Sequence, residues 1–298
     1  MKRIRRLTYE VVRRALAVPY VVWMGLFVVA PLIMVVVYAF TASDGAFTLG
    51  NFEHAAAYAQ VFGRSLLLAL VATLICLVIG YPLAYALSKE GARLRKVVMM
   101  LIMLPMWMNF LLRTYAWMSL LENTGLLNSF FKNIGLIDLV NLIRGWVSPS
   151  SEPLEFFPMI NTQFAVVLGM VYNYLPFMVL PIYSVIIKIE PSVIEAAQDL
   201  GADGRRVFSR VVFPLSLPGV LSGVTMTFVP SVSTFVINRL LGGSKSMLLG
   251  DLIEMQFLGS AYNPQLGSAI SLIMMVLILV LMQVMNTFGG GDEEASLL

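Results

Sequence analysis

Residues Ser65–Leu87 read SLLLALVATLICLVIGYPLAYAL, a run without a single charged side chain. A bilayer core about 30 Å thick takes roughly twenty apolar residues at a rise of 1.5 Å each. In water such a run would have to be covered on every side. In lipid it is solvated as it stands, because a helix pairs all of its own backbone N–H and C=O groups. The composition favours lipid: of 298 residues 59% are hydrophobic and 12% charged, whereas a soluble domain carries about a quarter charged residues.

The same criterion finds five more runs, Tyr20–Phe40, Val97–Leu121, Gln163–Ile187, Val220–Leu241 and Ser268–Phe288. The sequence therefore predicts an all-α membrane protein of six transmembrane helices, with residues 1–298 forming one transmembrane domain. The first run follows Lys2, Arg3, Arg5, Arg6, Arg13 and Arg14. It is longer than the apolar region of a secretory signal and no small-residue cleavage site follows it, so it reads as an uncleaved span.

The basic residues set the orientation. They crowd the tail 1–19, the segment Ser88–Lys96 (Lys89, Arg93, Arg95, Lys96) and the loop 188–219 (Lys188, Arg205, Arg206, Arg210); only Arg64, Lys132, Arg144 and Lys245 fall in the loops between. Basic loops stay cytoplasmic, which predicts an N-in, C-in protein with the tail 289–298 inside. The longest extracytoplasmic loop, 122–162, mixes apolar residues with charges and glycines, and predicts one or two short helices on the outer surface.

Much chemistry is excluded. Cys76 is the sole cysteine, which rules out an internal disulfide and a cysteine zinc site. The single histidine, His54, follows Asn51-Phe52-Glu53 in a predicted loop and reads as solvated. All 17 acidic residues lie outside the six runs, although proton-coupled carriers keep ionisable groups at membrane depth. Gly242-Gly243-Ser244-Lys245-Ser246 lacks the spacing of a nucleotide-binding loop. No group of His, Asp or Cys could assemble a reactive site, so the chain reads as neither an enzyme nor a nucleic-acid binder, with no cofactor of its own. Any energy the chain uses must come from a partner.

The predicted cytoplasmic loop before the fifth run begins Pro191-Ser192-Val193-Ile194-Glu195-Ala196-Ala197-Gln198-Asp199-Leu200-Gly201. Ser192 and Glu195 have the spacing of a capping box, and Gly201 is placed to end the helix. Val193, Ala196, Ala197 and Leu200 share one face at helical spacing, thin in the middle and apolar at the edge. A second short helix is expected to start at Asp203, carry Arg205, Arg206 and Arg210, and end before Phe213-Pro214. Such a face suits docking into a groove; the plainer alternative is an amphipathic loop resting on the membrane interface.

Glu195-Ala196-Ala197, Gly201, Val211 and Pro214 resemble the EAA-x3-G-x9-I-x-L-P signature of ABC-importer permeases, with Val211 in place of Ile and Phe213 in place of Leu. The resemblance implies a type I importer (MetI-like) permease fold in the bacterial inner (plasma) membrane. It also implies that Glu195, Ala196, Ala197, Asp199, Leu200, Gly201, Arg205, Val211 and Pro214 form the surface that couples to an ATPase. The implied partners are a second, homologous permease, an ATPase dimer that holds ATP and Mg, and an extracytoplasmic binding protein.

Phe110–Trp117, Leu180–Tyr183, Pro214–Gly219, Phe228–Ser231 and Leu240–Gly243 further resemble the spermidine/putrescine-type permeases. That likeness implies a polyamine substrate. Permeases for sulfate, ferric iron and phosphonates share many of these stretches, so another small solute stays open, as does a stand-alone channel or ion-coupled carrier.

A polycation needs acceptors. With no carboxylate in the spans, cation–π contacts worth up to about 2 kcal/mol each can substitute, or the partner permease can supply the acids. Pathway candidates are Trp107, Asn109, Tyr115 and Trp117 on the third span, Tyr172, Asn173 and Tyr174 on the fourth, and Ser231, Ser233 and Thr234 on the fifth. The competing reading for the aromatics is packing or an interfacial belt. Arg113 is expected to pair with Glu122 or backbone carbonyls, and Arg239 to snorkel. Gly219 and Gly223 predict a close helix contact, while Pro82, Pro105, Pro176, Pro181 and Pro230 predict bends.

Overall fold

The computed structural model describes residues 18–147, 153–243, 246–259 and 261–288. Residues 1–17, which hold the six basic residues of the N-terminal tail, the whole C-terminal tail 289–298 and Lys245 lie outside them. Described elements are helical: α1 (Val18–Ala39), α2 (Gly50–Ala56), α3 (Ala59–Lys89), α4 (Ala92–Trp107), α5 (Phe110–Leu121), α6 (Leu126–Asn133), α7 (Leu136–Val147), α8 (Gln163–Ile186), α9 (Pro191–Asp199), α10 (Gly204–Val232), α11 (Leu249–Leu258) and α12 (Pro264–Phe288). Five of them, α1, α3, α8, α10 and α12, are long and apolar enough to cross a membrane, and the bent pair that starts with α4 makes a sixth if counted as one span.

The contacts divide the chain into two compact units, Met1–Ala59 with Ile253–Leu277 and Gln60–Leu252 with Ile278–Leu298. In the first, the end of α1 is closed by Asn51, whose amide donates to the carbonyls of Ala39 (3.0 Å) and Thr41 (3.1 Å). Phe40 packs on Phe52 at 4.9 Å between ring centroids. His54 lies in α2 rather than in a loop, although its side chain is exposed as expected. Asn263 caps α12 by accepting from Leu266 N (3.1 Å). Gly267 lets that helix approach α11, since a Cβ there would sit 2.8 Å from Gln256 Cβ.

The second unit is built around the contact of α8 with α10. A Cβ at Gly219 would meet the Pro181 carbonyl at 2.9 Å, and one at Gly223 the Met178 carbonyl at 3.0 Å. The predicted small-residue face is therefore a backbone-on-backbone contact, the closest packing two helices can adopt. From the other side a Cβ at Gly80 of α3 would lie 3.1 Å from Met178 Cγ. The fully buried Met178 side chain is thus enclosed by three helices.

Two expected spans are not single helices. The third bends by 95° between Trp107 and Phe110. Pro105, two residues before the break, lacks the N–H that would continue the ladder, and Asn109 opens the next helix by accepting from Leu111 N (2.8 Å) and Leu112 N (3.4 Å). The fifth run, expected as Val220–Leu241, belongs to a helix that begins far earlier, at Gly204, and stops at Val232. The expected stop before Phe213-Pro214 does not occur. A π-helical turn, Phe208–Val212, precedes Pro214, so the proline stands at the start of the following α-helical stretch, where its missing N–H is tolerated. The stop comes two residues after Pro230; the chain then resumes as a π-helical turn, Asn238–Gly242. Pro82, Pro176 and Pro181 remain inside continuous helices.

After Gly242 the chain doubles back. Gly243 takes a φ of +67°, a left-handed conformation that suits glycine. Gly250 has returned to the level of the break in α10: a Cβ there would lie 2.5 Å from the Ser233 carbonyl. The turn is held by Asn161 N donating to Leu241 O (2.9 Å) and by Leu249 N donating to Ser65 Oγ (2.8 Å).

Candidate coupling site

The loop between α8 and α9 is short and wound. Ile187, Lys188 and Ile189 donate to the carbonyls of Tyr183, Val185 and Ile186 at 3.1–3.2 Å, so the long helix passes into α9 through hydrogen-bonded turns rather than slack chain. Pro191 occupies the first helical position, with Glu190 as cap. This corrects the capping box expected at Ser192 and Glu195. Proline is pre-set for that first position, which moves the helix start upstream, and Ser192 Oγ bonds Glu190 Oε2 (3.2 Å) instead.

The far end is as expected. Gly201 has φ +82°, Ala202 N donates to Ala197 O (3.0 Å) and Gly201 N to Gln198 O (2.8 Å). This paired arrangement satisfies the last carbonyls of α9. Two residues on, Asp203 accepts from Arg206 N (2.8 Å) and starts α10, again as the sequence predicts.

Between these ends α9 has two sides. Ile194 and Ala197 pack against the buried core together with Ala202 and Phe208. Glu195, Ala196, Asp199 and Gly201 are exposed, with Val193 at 42% and Leu200 at 89% exposure. The expected face is therefore divided: Ala197 turns inward as an anchor, while Val193, Ala196 and Leu200 form a narrow apolar ridge facing out. Arg205 is exposed beyond the joint, and Val211 and Pro214 lie along α10. Ile194 and Ala197 tie α9 to the core beneath it, while the ridge stays uncovered.

The pathway candidates separate into groups. Trp117 meets Tyr172 edge to face at 5.3 Å, and the Arg113 guanidinium stands 5.9 Å from the Phe110 ring and 6.0 Å from Tyr172. Arg113 is buried and its Nη1 donates to the Pro105 carbonyl, so of the expected partners it takes a backbone carbonyl and staples the bend of the third span. Tyr174 OH reaches the Pro230 carbonyl (3.4 Å) at the break of α10, near the buried Thr234. Asn173, Ser231 and Ser233 donate to carbonyls of their own helices. Asn109 is a helix cap, while Trp107 and Tyr115 stay exposed.

One acidic residue escaped the sequence reading. Asp251 lies beyond the predicted spans in sequence, yet it is buried against the fifth, where its Oδ2 accepts from Asn238 Nδ2 and from Leu248 N (3.1 Å). A doubling-back of the chain leaves no local sequence signal. Asn128 was missed for the same reason: it clamps the loop after α7 by bonding Phe157 N (2.9 Å) and Phe157 O (3.1 Å).

The long apolar helices, with the short α9 set between α8 and α10, are those of a membrane protein. The chain belongs to the family described as binding-protein-dependent transport system inner membrane component, whose model matches residues 76–288. It is a multi-pass inner-membrane protein and a transport component rather than a catalyst. It is 36% identical over 267 residues, 87% of each chain, to the spermidine/putrescine transport system permease protein PotB of Haemophilus influenzae. Its fold matches a chain of a bacterial ABC transporter that imports the acidic polysaccharide alginate (TM-score 0.75, 15% identity, 98% of this chain and 100% of that one). It also matches a chain of the inward-facing methionine ABC transporter MetNI (TM-score 0.53, 17% identity, 78% and 94% covered).

Proposed function

We propose that this chain is the polyamine-translocating permease subunit of an ABC importer, oriented N-in and C-in, with α9 as the cytoplasmic helix that an ATPase dimer grips. ATP and Mg belong to that ATPase; a second permease completes the pathway, and an extracytoplasmic binding protein delivers the substrate. The observation that carries the coupling role is the construction of α9, exposed on its ridge, closed at both ends and anchored inward by Ile194 and Ala197.

Closure of the ATPase dimer draws α9 with it, and α8 and α10 follow as one body because their backbones touch at Gly219 and Gly223. The breaks near Trp107 and Val232 are where the moving part can pivot against the part pinned by Asn161 and Asp251. The substrate class is supported by the similarity to PotB, not by the fold, since a chain of the same fold serves an acidic polysaccharide. Aromatic rings such as Tyr115 and Trp107 offer π faces to alkylammonium groups.

Titrating the purified cognate binding protein with spermidine, putrescine and oxyanions, followed by uptake into proteoliposomes holding the whole transporter, tests the reading. Saturable polyamine binding and ATP-dependent polyamine uptake are expected. Tight oxyanion binding without a polyamine response overturns the substrate; uptake by this chain alone without ATP overturns the coupling.

A further inference from the structure

Behind α9 lies a cavity of about 460 Å³ between that helix and the α3–α4 junction. One wall comes from the end of α3 and the start of α4, and carries two cations. Lys89 Nζ is held 4.1 Å above the centre of the Tyr85 ring. Arg95 gives an Nη2 hydrogen to the Glu90 carbonyl (2.9 Å), while its Nε is shut away from solvent with no hydrogen-bond partner. The facing wall is α9 itself, with Glu195 and Gln198; the floor is apolar, with Ile186 and Ile194.

This combination selects a ligand class. Two cations on one side call for a phosphate, to which guanidinium and ammonium groups bind by charge-assisted hydrogen bonds. Acceptors on the other side call for a second group with N–H or O–H donors. The apolar floor calls for a hydrocarbon chain, and the volume lies within the range of small-ligand sites, roughly 300–1,000 Å³. We propose that this cavity binds the headgroup of a glycerophospholipid, with the phosphate against Lys89 and Arg95, a headgroup hydroxyl or ammonium against Glu195 and Gln198, and the root of an acyl chain along Ile186 and Ile194. Choline headgroups, which lack N–H and O–H donors, fit poorly. A lipid seated there backs the coupling helix from its inner side, so that the coupling efficiency depends on the surrounding lipid. The proposal relies on the transport reading only for the leaflet involved, the inner one.

The test uses the complete transporter in nanodiscs containing a trace of photoactivatable phosphatidylglycerol, with adducts mapped by peptide mass spectrometry. Adducts are expected on the peptides around Lys89 and around Ile189–Gln198. They should fall about tenfold in the Lys89→Gln/Arg95→Gln variant, which loses two charge-assisted contacts. Lys96→Gln, an exposed neighbour, should change nothing, and Lys89→Arg should retain labelling, separating loss of the site from loss of the fold. Millimolar inorganic phosphate that displaces the probe would assign the same phosphate site to a soluble anion; failure to displace it assigns the lipid. Equal labelling in the double variant, or no adducts on these peptides in the natural sequence, overturns the proposal. Because the readout needs no ATP, either result leaves the coupling role to be judged separately.

Discussion

The hydroxyl of Tyr81 lies 2.8 Å from Oγ of Ser216 and ties α3 to α10 in the buried interior. Ser216 donates its own hydrogen to the Phe213 carbonyl (2.9 Å), so Tyr81 is the donor of the pair. The Tyr81 ring also packs near Phe208 and Phe213, at 5.8 and 5.7 Å. Tyr81→Phe should cost about 1 kcal/mol, one buried hydrogen bond whose removal leaves Ser216 with its donor satisfied. Tyr81→Ala, which also empties the ring's place, should cost about 3–5 kcal/mol. Unfolding in detergent measures both, and equal losses would contradict this division.

Gly201→Val is expected to spare insertion and uncouple transport. Nothing lies within 4 Å of a Cβ at this position, so the penalty comes from the φ of +82° alone, about 1–2 kcal/mol for a residue with a side chain. It falls on the C-terminal closure of α9. Gly201→Asn should be milder, since asparagine tolerates that conformation. Uptake per ATP hydrolysed should drop several-fold in the valine variant; unchanged stoichiometry there, and in Glu195→Lys, would count against α9 as the coupling element.

Substitution of Gly219 or Gly223 acts on stability instead. A Cβ would press on backbone carbonyls at 2.9 and 3.0 Å, and backbone yields less than side chain. Gly223→Val should lose about 1–3 kcal/mol through overpacking, seen as a lower melting temperature and less mature protein in the membrane. A variant as stable as the parent would show that α8 and α10 can separate freely.

Asp251→Ala should be among the more damaging changes at an acidic position. It removes the acceptor for both Asn238 Nδ2 and Leu248 N in a buried setting, where an orphaned donor costs about 1–3 kcal/mol. Asp251→Asn, which can still offer an oxygen, should lose less. Thermal unfolding of the two variants decides; if they rank the other way, charge rather than hydrogen bonding holds the turn.

The spans were legible because twenty apolar residues in a row have few other solutions, as in Ser65–Leu87. The ends of α9 were partly legible: Gly201 and Asp203 act through their own backbone or the next turn, which a local reading captures. The capping box failed because Pro191 competes for the same first turn, and the spacing of Ser192 and Glu195 carries no information about which residue wins. The break at Asn109 falls inside a hydrophobic run whose composition does not change across it; the bend expected at Pro105 was its one sign, and its size and the capping by Asn109 were not legible. Asp251 could not have been found, since its burial depends on Gly243 and Gly250 bringing a distant segment back to Thr234. Ala197 was placed on the right stripe of the helix, but only tertiary packing determined which edge of the stripe faces inward.

The break at Asn109 has a bearing on how the protein is made. Its two arms, of 16 and 12 residues, reach about 24 and 18 Å at helical rise, and neither traverses a bilayer by itself. The two arms make one crossing only together, so membrane insertion is expected to handle them as a unit, joined where the Arg113 guanidinium meets the Pro105 carbonyl.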